Sequence, residues 1–477
     1  MSKIVTRFAP SPTGFMHIGG VRTALFAWLW ARKNKGVFIL RIEDTDKERE
    51  VAGSIAHIQE SLKWISLDWD YGPDKPGPFG SCIQSERLET YKNAAQTLID
   101  KGLAYPDPYT EEEVATFHAT AEASKKPFLF RDHRPASFMP WDGKRPLRFK
   151  VPEIKRYHWH DAVRGDLEAG EEALDDFILI KSDGYPTYNF AHIIDDQAMG
   201  VTHVLRGDEF ISSTPKFLSL YDALEIKPPV FATLPPILRD DRTKKLGKRD
   251  GAKDMLEYRD EGYLPQAFLN FLSLIGWNPG DDREVMDLAE IMEAFDLSKV
   301  QKAGAVFGEE KLRWMNKQYM AKLSDKEYLD LAKKFIPKEI QSATLERALP
   351  VIRERIHTFG DIAGIFSREG ELGFVLQSPT YDAKKLSWKG DTATTTSLHL
   401  EKIIGLLEPL KDFSAEKIKE AVWPYAEKNG KGNVLWPMRY ALTGLDKSPD
   451  PFLSASILDK TETLSRLEKA ASAVKSL

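Results

Sequence analysis

The chain has 477 residues, 42% hydrophobic and 29% charged, with 67 Lys and Arg against 72 Asp and Glu for a formal charge of −5. That length allows roughly two to four packed domains, and the near balance of charge excludes a uniformly basic nucleic-acid coat while leaving room for local patches. Cys82 is the only cysteine, which excludes a disulfide framework and a multi-cysteine zinc site within one chain, and apolar runs such as 267–277 are too short and interrupted to cross a membrane.

At the N-terminus, MSKIVTRF has no secretory apolar core, so a cytoplasmic location is the expectation. Ile4, Val5 and Phe8 form a β-type run that Pro10, Pro12 and Gly14 cannot extend. From Ile18 the apolar residues Val21, Ala24, Leu25, Trp28 and Leu29 repeat at helical spacing, and a Lys35-Gly36 turn leads into a second apolar run at 37–42. Residues 3–42 therefore predict a strand, helix, strand unit of the right-handed parallel kind. Ligands of such units bind outside the carboxyl ends of the strands, where a helix N-terminus offers unpaired N–H groups to phosphate. His17, Gly19 and Gly20 stand there, and two readings are open for H-x-G-G: a phosphate site or a glycine-rich helix cap. A Walker A loop is excluded, since Gly20 and Val21 occupy its Lys and Ser/Thr places, and no G-x-G-x-x-G separates strand from helix.

Beyond RIEDTD at 41–46, Asp46 is expected to cap a helix whose apolar face is Val51, Ile55, Ile58, Leu62 and Ile65, while Asp44 orients the neighbouring arginine or caps. A helix over 86–101 is followed by Pro- and charge-rich sequence until residues 176–180 restore a strand, which predicts a domain-sized insertion. Within it cations such as Lys126, Arg131, Arg134, Arg148 and Lys150 alternate with Phe128, Phe130, Phe138, Trp141 and Phe149. The pattern suits a single-stranded nucleic-acid end, or an aromatic core ringed by solvated charge. After an apolar run at 230–238 comes DRTKKLGKRDG, 241–251, whose Lys245 and Lys248 suit a triphosphate but also fit a solvated charge run. Helical periodicity then dominates from residue 255, with a capping box at Ser324-x-x-Glu327.

Taken together these segments carry a resemblance. PSPTGFMHIGG resembles the HIGH signature of class I aminoacyl-tRNA synthetases, KLGKR at 245–249 resembles their KMSKS loop, and RIEDTD is similar to the glutamyl-tRNA synthetase form. WDYGP, QSERLETY, SDGYPTYNFAHIIDD, THVLRGDE and EEKLRWMN also match that family, strongly over the N-terminal two-thirds and weakly beyond.

The resemblance implies an α/β fold: a Rossmann-like parallel-sheet catalytic domain at 1–85 and 177–250, an α+β insertion at 86–176 for the tRNA acceptor end, and all-α stem-contact (251–324) and anticodon-binding (325–477) domains. It implies ligation of L-glutamate to tRNA(Glu) with ATP and accompanying Mg²⁺ and no membrane partner, with tRNA(Gln) left open as a second substrate and a monomer as the family expectation. His17, Lys245 and Lys248 are then the catalytic candidates. Gly14, His17, Gly19, Gly20, Lys245, Lys248 and Arg249 would bind ATP, and Arg7, Ala9, Ser11, Glu43, Tyr188, His192 and Arg206 would bind glutamate. His192, beside Ile193 and Ile194, reads equally as pocket or core. No zinc is expected, since Tyr105, Asp107 and Asp132 stand near the places of the family's zinc ligands despite His133. Gly247, where the family commonly has Ser, raises the alternative of a catalytically weak, tRNA-binding paralogue. A small-molecule nucleotidyltransferase would share the helix mouth but has no use for a long helical C-terminal region.

Overall fold

The first strand stops where proline and glycine stop it. In the computed structural model, which describes residues 3–239, 241–242, 244–246, 253–380 and 382–477, β1 (Val5–Phe8) runs parallel to β2 (Val37–Leu40) across helix α1 (Ile18–Lys33). All six apolar positions that predict α1 are buried, and Arg32 and Lys33 in its last turn complement the helix dipole.

Further along, α2 (Ser54–Trp64) and α3 (Leu88–Asp100) precede β3 (Ala104–Pro106), α4 (Glu111–Ala123) and β4 (Leu147–Phe149). A hairpin follows, β5 (Tyr157–Asp161) and β6 (Gly165–Ala169), then β7 (Ile178–Ile180), α5 (Tyr188–Ala198), β8 (His203–Gly207), α6 (Thr214–Leu224) and β9 (Val230–Leu234). The main sheet has the order β2-β1-β8-β9-β5-β6, parallel except for the hairpin partner β6.

Two segments pair otherwise than their sequence suggests. The strand expected to restore the nucleotide fold, β7, lies antiparallel to β4 in a separate sheet ordered β3-β4-β7. The β5–β6 hairpin, inside the expected insertion, instead extends the main sheet. An apolar run specifies burial but not its partner strand. Here a buried carboxylate makes the choice: Asp161 accepts hydrogen bonds from the Thr233 amide at 3.0 Å and the Thr233 hydroxyl at 2.6 Å, hooking β5 onto β9.

Asp46 does not cap α2. The α2 N-cap is Gly53, at φ 80°, and the Asp46 carboxylate pairs with Arg49 at 2.6 Å. Asp44 neither orients an arginine nor caps: it accepts from the Ser85 amide and hydroxyl at 2.9 and 2.6 Å, tying the acidic motif to the segment before α3.

The chain divides into two compact units, residues 1–259 with 265–312, and residues 260–264 with 313–477. The expected stem-contact segment is thus shared between them. In the first unit, β10 (Ile237–Leu238) pairs in parallel with β11 (Ala305–Val306), and α7 (Met255–Asp260), α8 (Pro265–Ser273), α9 (Leu288–Ala294) and the start of α10 (Glu309–Ala321) complete it. The second unit is built of helices, from α11 (Asp325–Ala332), α12 (Ser342–Arg355) and α13 (Asp361–Ile365) to α14 (Ala393–Leu407), α15 (Ala415–Asn429), α16 (Lys431–Thr443), α17 (Pro451–Leu458) and α18 (Lys460–Lys475). Ser324 and Glu327 form the capping box of α11 reciprocally, as their spacing predicts. Among the described residues no helix is long and apolar enough to cross a membrane.

Candidate active site

A cleft of about 660 Å³ opens at the carboxyl ends of β1 and β8, beside the N-terminus of α1. His17 is the N-cap of α1: its backbone is extended, and its Nδ1 accepts the Gly19 amide hydrogen at 3.1 Å. Nδ1 being the acceptor, the proton of the neutral ring resides on Nε2. A Cβ at Gly19 would sit 3.0 Å from the imidazole Cε1, so this glycine admits the ring, whereas Gly20 and Gly14 line the cleft themselves. Gly14 has φ 147°, a backbone region that favours glycine, and its carbonyl accepts the Ser54 hydroxyl at 2.8 Å.

Arg7, on β1, lines the cleft while its Nε donates to Asp196 at 3.1 Å and its Nη1 to the Leu205 carbonyl at 3.4 Å. Behind it lies Arg41, fully buried, 2.7 Å from Asp196 and 2.9 Å from Glu43. Asp195 lies 3.9 Å from the same guanidinium and accepts from Arg87, Gln84 and Tyr91 at 2.8 Å each. Burial works against the Asp196 charge, but Arg7 and Arg41 win and hold its carboxyl down at about 2. At Glu43 burial prevails over Arg41 and raises the carboxyl above its ordinary value. The result is a cleft wall in which Glu43 and Arg7 are fixed by one buried arginine and one buried aspartate.

Arg206, on β8, is the cleft's second cation, only 5% exposed. Its Nη2 donates to Thr214 at 3.0 Å, while Nε and Nη1 are buried without a hydrogen-bond partner. Phe210, Phe217 and Phe231 surround it with ring centroids 4.9 to 5.3 Å away. Burial lowers its pKa. A buried guanidinium with unused donors in an aromatic cage is built to receive an anion, because leaving those donors unmet is costly. Tyr188, at the start of α5, forms the adjoining wall, its hydroxyl pushed up to about 12 by burial and Glu43. Ala9 and Ser11 also line the cleft.

His192 sits behind that wall. Its ring stacks on Tyr188 at 4.7 Å, Nδ1 bonds the Tyr188 carbonyl at 2.7 Å, and burial pushes its pKa down to about 3. It is a neutral residue of the second layer whose Nε2 lies buried without a partner.

From the second signature, Lys245 pairs with Glu209 at 3.0 Å and bridges in antiparallel register to Leu238. Glu209 lines the cleft, which brings the first lysine of that loop to its edge. Gly247, Lys248 and Arg249 lie outside the described residues.

Reasoning from sequence did not single out Arg41, Asp196 or Glu209. Their only signal was membership of quoted stretches, RIEDTD, IIDD and LRGDE; nothing local marks which acid meets which arginine. In the insertion both readings of the aromatics hold in part. Phe130 and Phe149 are buried, with the Arg148 guanidinium over the Phe130 ring, while Phe138 is 42% exposed with Lys150 over it at 5.2 Å. Near the family's zinc positions, Tyr105 donates to Asp176 at 2.8 Å, Asp107 pairs with Arg148 at 2.7 Å, and His133 stacks on Phe117. Among the described residues no group of three His, Cys, Asp or Glu is arranged to hold a metal ion.

The parallel sheet, the histidine-capped helix mouth and the cleft arginines fit the class that the motifs resemble, the class I aminoacyl-tRNA synthetases. Residues 3–314 match the family of class I tRNA synthetases (E and Q), catalytic domain, and residues 327–471 match an anticodon binding domain. Over its whole length the chain is 39% identical to the glutamate–tRNA ligase of Clostridium botulinum strain Okra, covering 99% of that protein, and over 99% of its length 38% identical to that of Moorella thermoacetica. The crystal structure of a glutamate tRNA ligase from Elizabethkingia meningosepticum, in complex with its amino acid, superposes with a TM-score of 0.89 at 35% identity, over 99% of each chain. The chain belongs to the glutamate–tRNA ligase family.

Proposed function

We propose that this chain activates L-glutamate with ATP and transfers it to tRNA(Glu). The observation that carries the reading is one cleft lined by two arginines, Arg7 and Arg206, and the carboxylate of Glu43, with unused donors on Arg206. Glutamate presents two carboxylates and one ammonium group, which is the complement of that set.

The α-carboxylate attacks the α-phosphorus of ATP, an oxygen–phosphorus bond forms, and pyrophosphate leaves with the electrons of the broken bond. A hydroxyl of the 3′-terminal adenosine of tRNA then attacks the activated carbonyl and AMP departs. Neither step needs a covalent enzyme intermediate, so the protein supplies position and charge. Arg206 and Arg7 grip the carboxylates, Glu43 accepts from the ammonium, and Tyr188, Ala9 and Ser11 shape the pocket. His17 Nε2–H, Lys245 and Lys248 donate to phosphate oxygens as charge moves toward pyrophosphate, with Gly14, Gly20 and Arg249 beside the nucleotide. Mg²⁺ travels with the triphosphate and keeps most of its shell from phosphate and water; the nearest cleft carboxylates, Glu43 and Glu209, are already paired with Arg41 and Lys245.

Retention of His17 and both lysines favours an active ligase over a tRNA-binding paralogue, although Gly247 replaces a hydroxyl in the loop. The insertion takes the acceptor end, and the helices from 325 onward read the anticodon in a cytoplasmic monomer. The test is charging of purified tRNA(Glu) and tRNA(Gln) with labelled glutamate. Product with tRNA(Glu) is expected; none with either tRNA overturns the assignment, and product with both identifies a non-discriminating enzyme.

A further inference from the structure

One face of α2 holds the signature loop. Ser54 and His57, one turn apart, meet that loop at two points: the Ser54 hydroxyl donates to the Gly14 carbonyl at 2.8 Å, and His57 Nδ1 accepts the Met16 amide hydrogen at 3.2 Å. The His57 ring also stacks on Phe15, with centroids 4.6 Å apart and planes 19° apart, and backs that ring where it lines the cleft.

Because Nδ1 accepts, Nε2 carries the proton, and it donates to Asp254 Oδ1 at 2.7 Å. Asp254 is itself fixed. Its Oδ1 accepts the Leu256 amide at 2.8 Å, it forms an isolated antiparallel bridge with His17, and the following Met255 amide donates to the Met16 carbonyl at 3.0 Å. The backbone from Gly14 to His17 is thus held on one side by α2 and on the other by residues 254–255, and His57 is the side chain that joins the two supports. Met16 is 5% exposed, and its amide finds its acceptor in the His57 ring.

We infer that His57 is a positioning residue for His17, setting the backbone that aims the catalytic imidazole at ATP. Nothing places His57 in contact with substrate; it acts through Met16 and Asp254. The inference rests on the functional reading above, and its test separates the two.

His57→Phe keeps the stacking surface and removes the contacts to the Met16 amide, to Asp254 and to the Ser61 hydroxyl, which lies 3.3 Å from Nδ1, whereas His57→Asn keeps an acceptor near the Nδ1 position. In tRNA(Glu) charging, His57→Phe is expected to lower kcat tenfold or more with KM for glutamate within twofold of wild type, and His57→Asn to restore most of the loss. ATP affinity, measured by calorimetry without tRNA or glutamate, is expected to fall at least fivefold in His57→Phe. If that variant does not fold, His57→Gln takes its place, since it loses the Nδ1 acceptor. Unchanged kcat and ATP affinity overturn the inference, as does equal loss in the Phe and Asn variants or a glutamate KM that rises as kcat falls. Absence of charging by the wild type would instead sink the functional reading, and the ATP arm would still judge His57.

Discussion

The Nε of Arg7 lies 3.1 Å from the carboxylate of Asp196, 189 residues away in the chain. That one contact joins β1 to α5 and fixes a cleft cation by a group that does not line the cleft. The same carboxylate oxygen sits 2.7 Å from Arg41, so two buried guanidinium groups share one acid, which Arg41 supplements with Glu43 at 2.9 Å.

Asp196→Asn leaves Arg7 and Arg41 short of a counter-charge. Removing one partner of a buried ion pair costs about 3–5 kcal/mol, and urea unfolding of the variant is expected to show a loss in that range. Glutamate KM rises with it, because Arg7 loses its anchor. A midpoint matching wild type would show that the cluster carries no net stabilisation.

Arg206→Gln replaces a caged cation by a neutral amide. Charge-assisted bonds contribute about 1.5–3 kcal/mol each, and two donors of Arg206 are unused. Glutamate KM in tRNA charging is expected to rise about a hundredfold or more, with ATP KM little changed. Equal changes in both constants would mean that the residue supports the fold and does not select the amino acid.

Under the proposed function, Lys248→Ala removes one donor to the leaving pyrophosphate. Such a loss raises the chemical barrier by about 2 kcal/mol or more, roughly thirtyfold in rate. Single-turnover charging at saturating ATP measures it, and an unaltered rate would leave the lysine no role in the step.

Burial holds the His192 pKa at about 3, against 6.5 for the ordinary side chain. In that window the unfolded chain binds a proton that the folded chain refuses, so stability falls as pH drops, by up to about 1.4 kcal/mol per pH unit. His192→Gln cannot titrate. Its unfolding free energy is expected to decline less steeply than wild type between about pH 6 and pH 4; identical slopes would show that His192 protonates freely in the folded protein.

Much of this was legible from local physics. Proline and glycine ended β1, the spacing from Ile18 to Leu29 built α1, and the Ser324/Glu327 pair capped α11, because each depends on residues a turn or less apart. The sequence by itself also supplied the residue types of the cleft, two arginines, a glutamate and a histidine at a helix mouth, to which the family resemblance attaches an amino acid and ATP. Only the tertiary structure decided the pairings. Arg7 with Asp196, His57 with Asp254 and Asp161 with Thr233 are separated by 189, 197 and 72 residues. A charged residue's local sequence fixes its charge and its element, but which opposite charge shares its low-dielectric surroundings depends on how strands and helices stack. For the same reason β7 and the β5–β6 hairpin joined sheets that their apolar patterns could not name, and His192, legible as pocket or core, came to rest behind Tyr188.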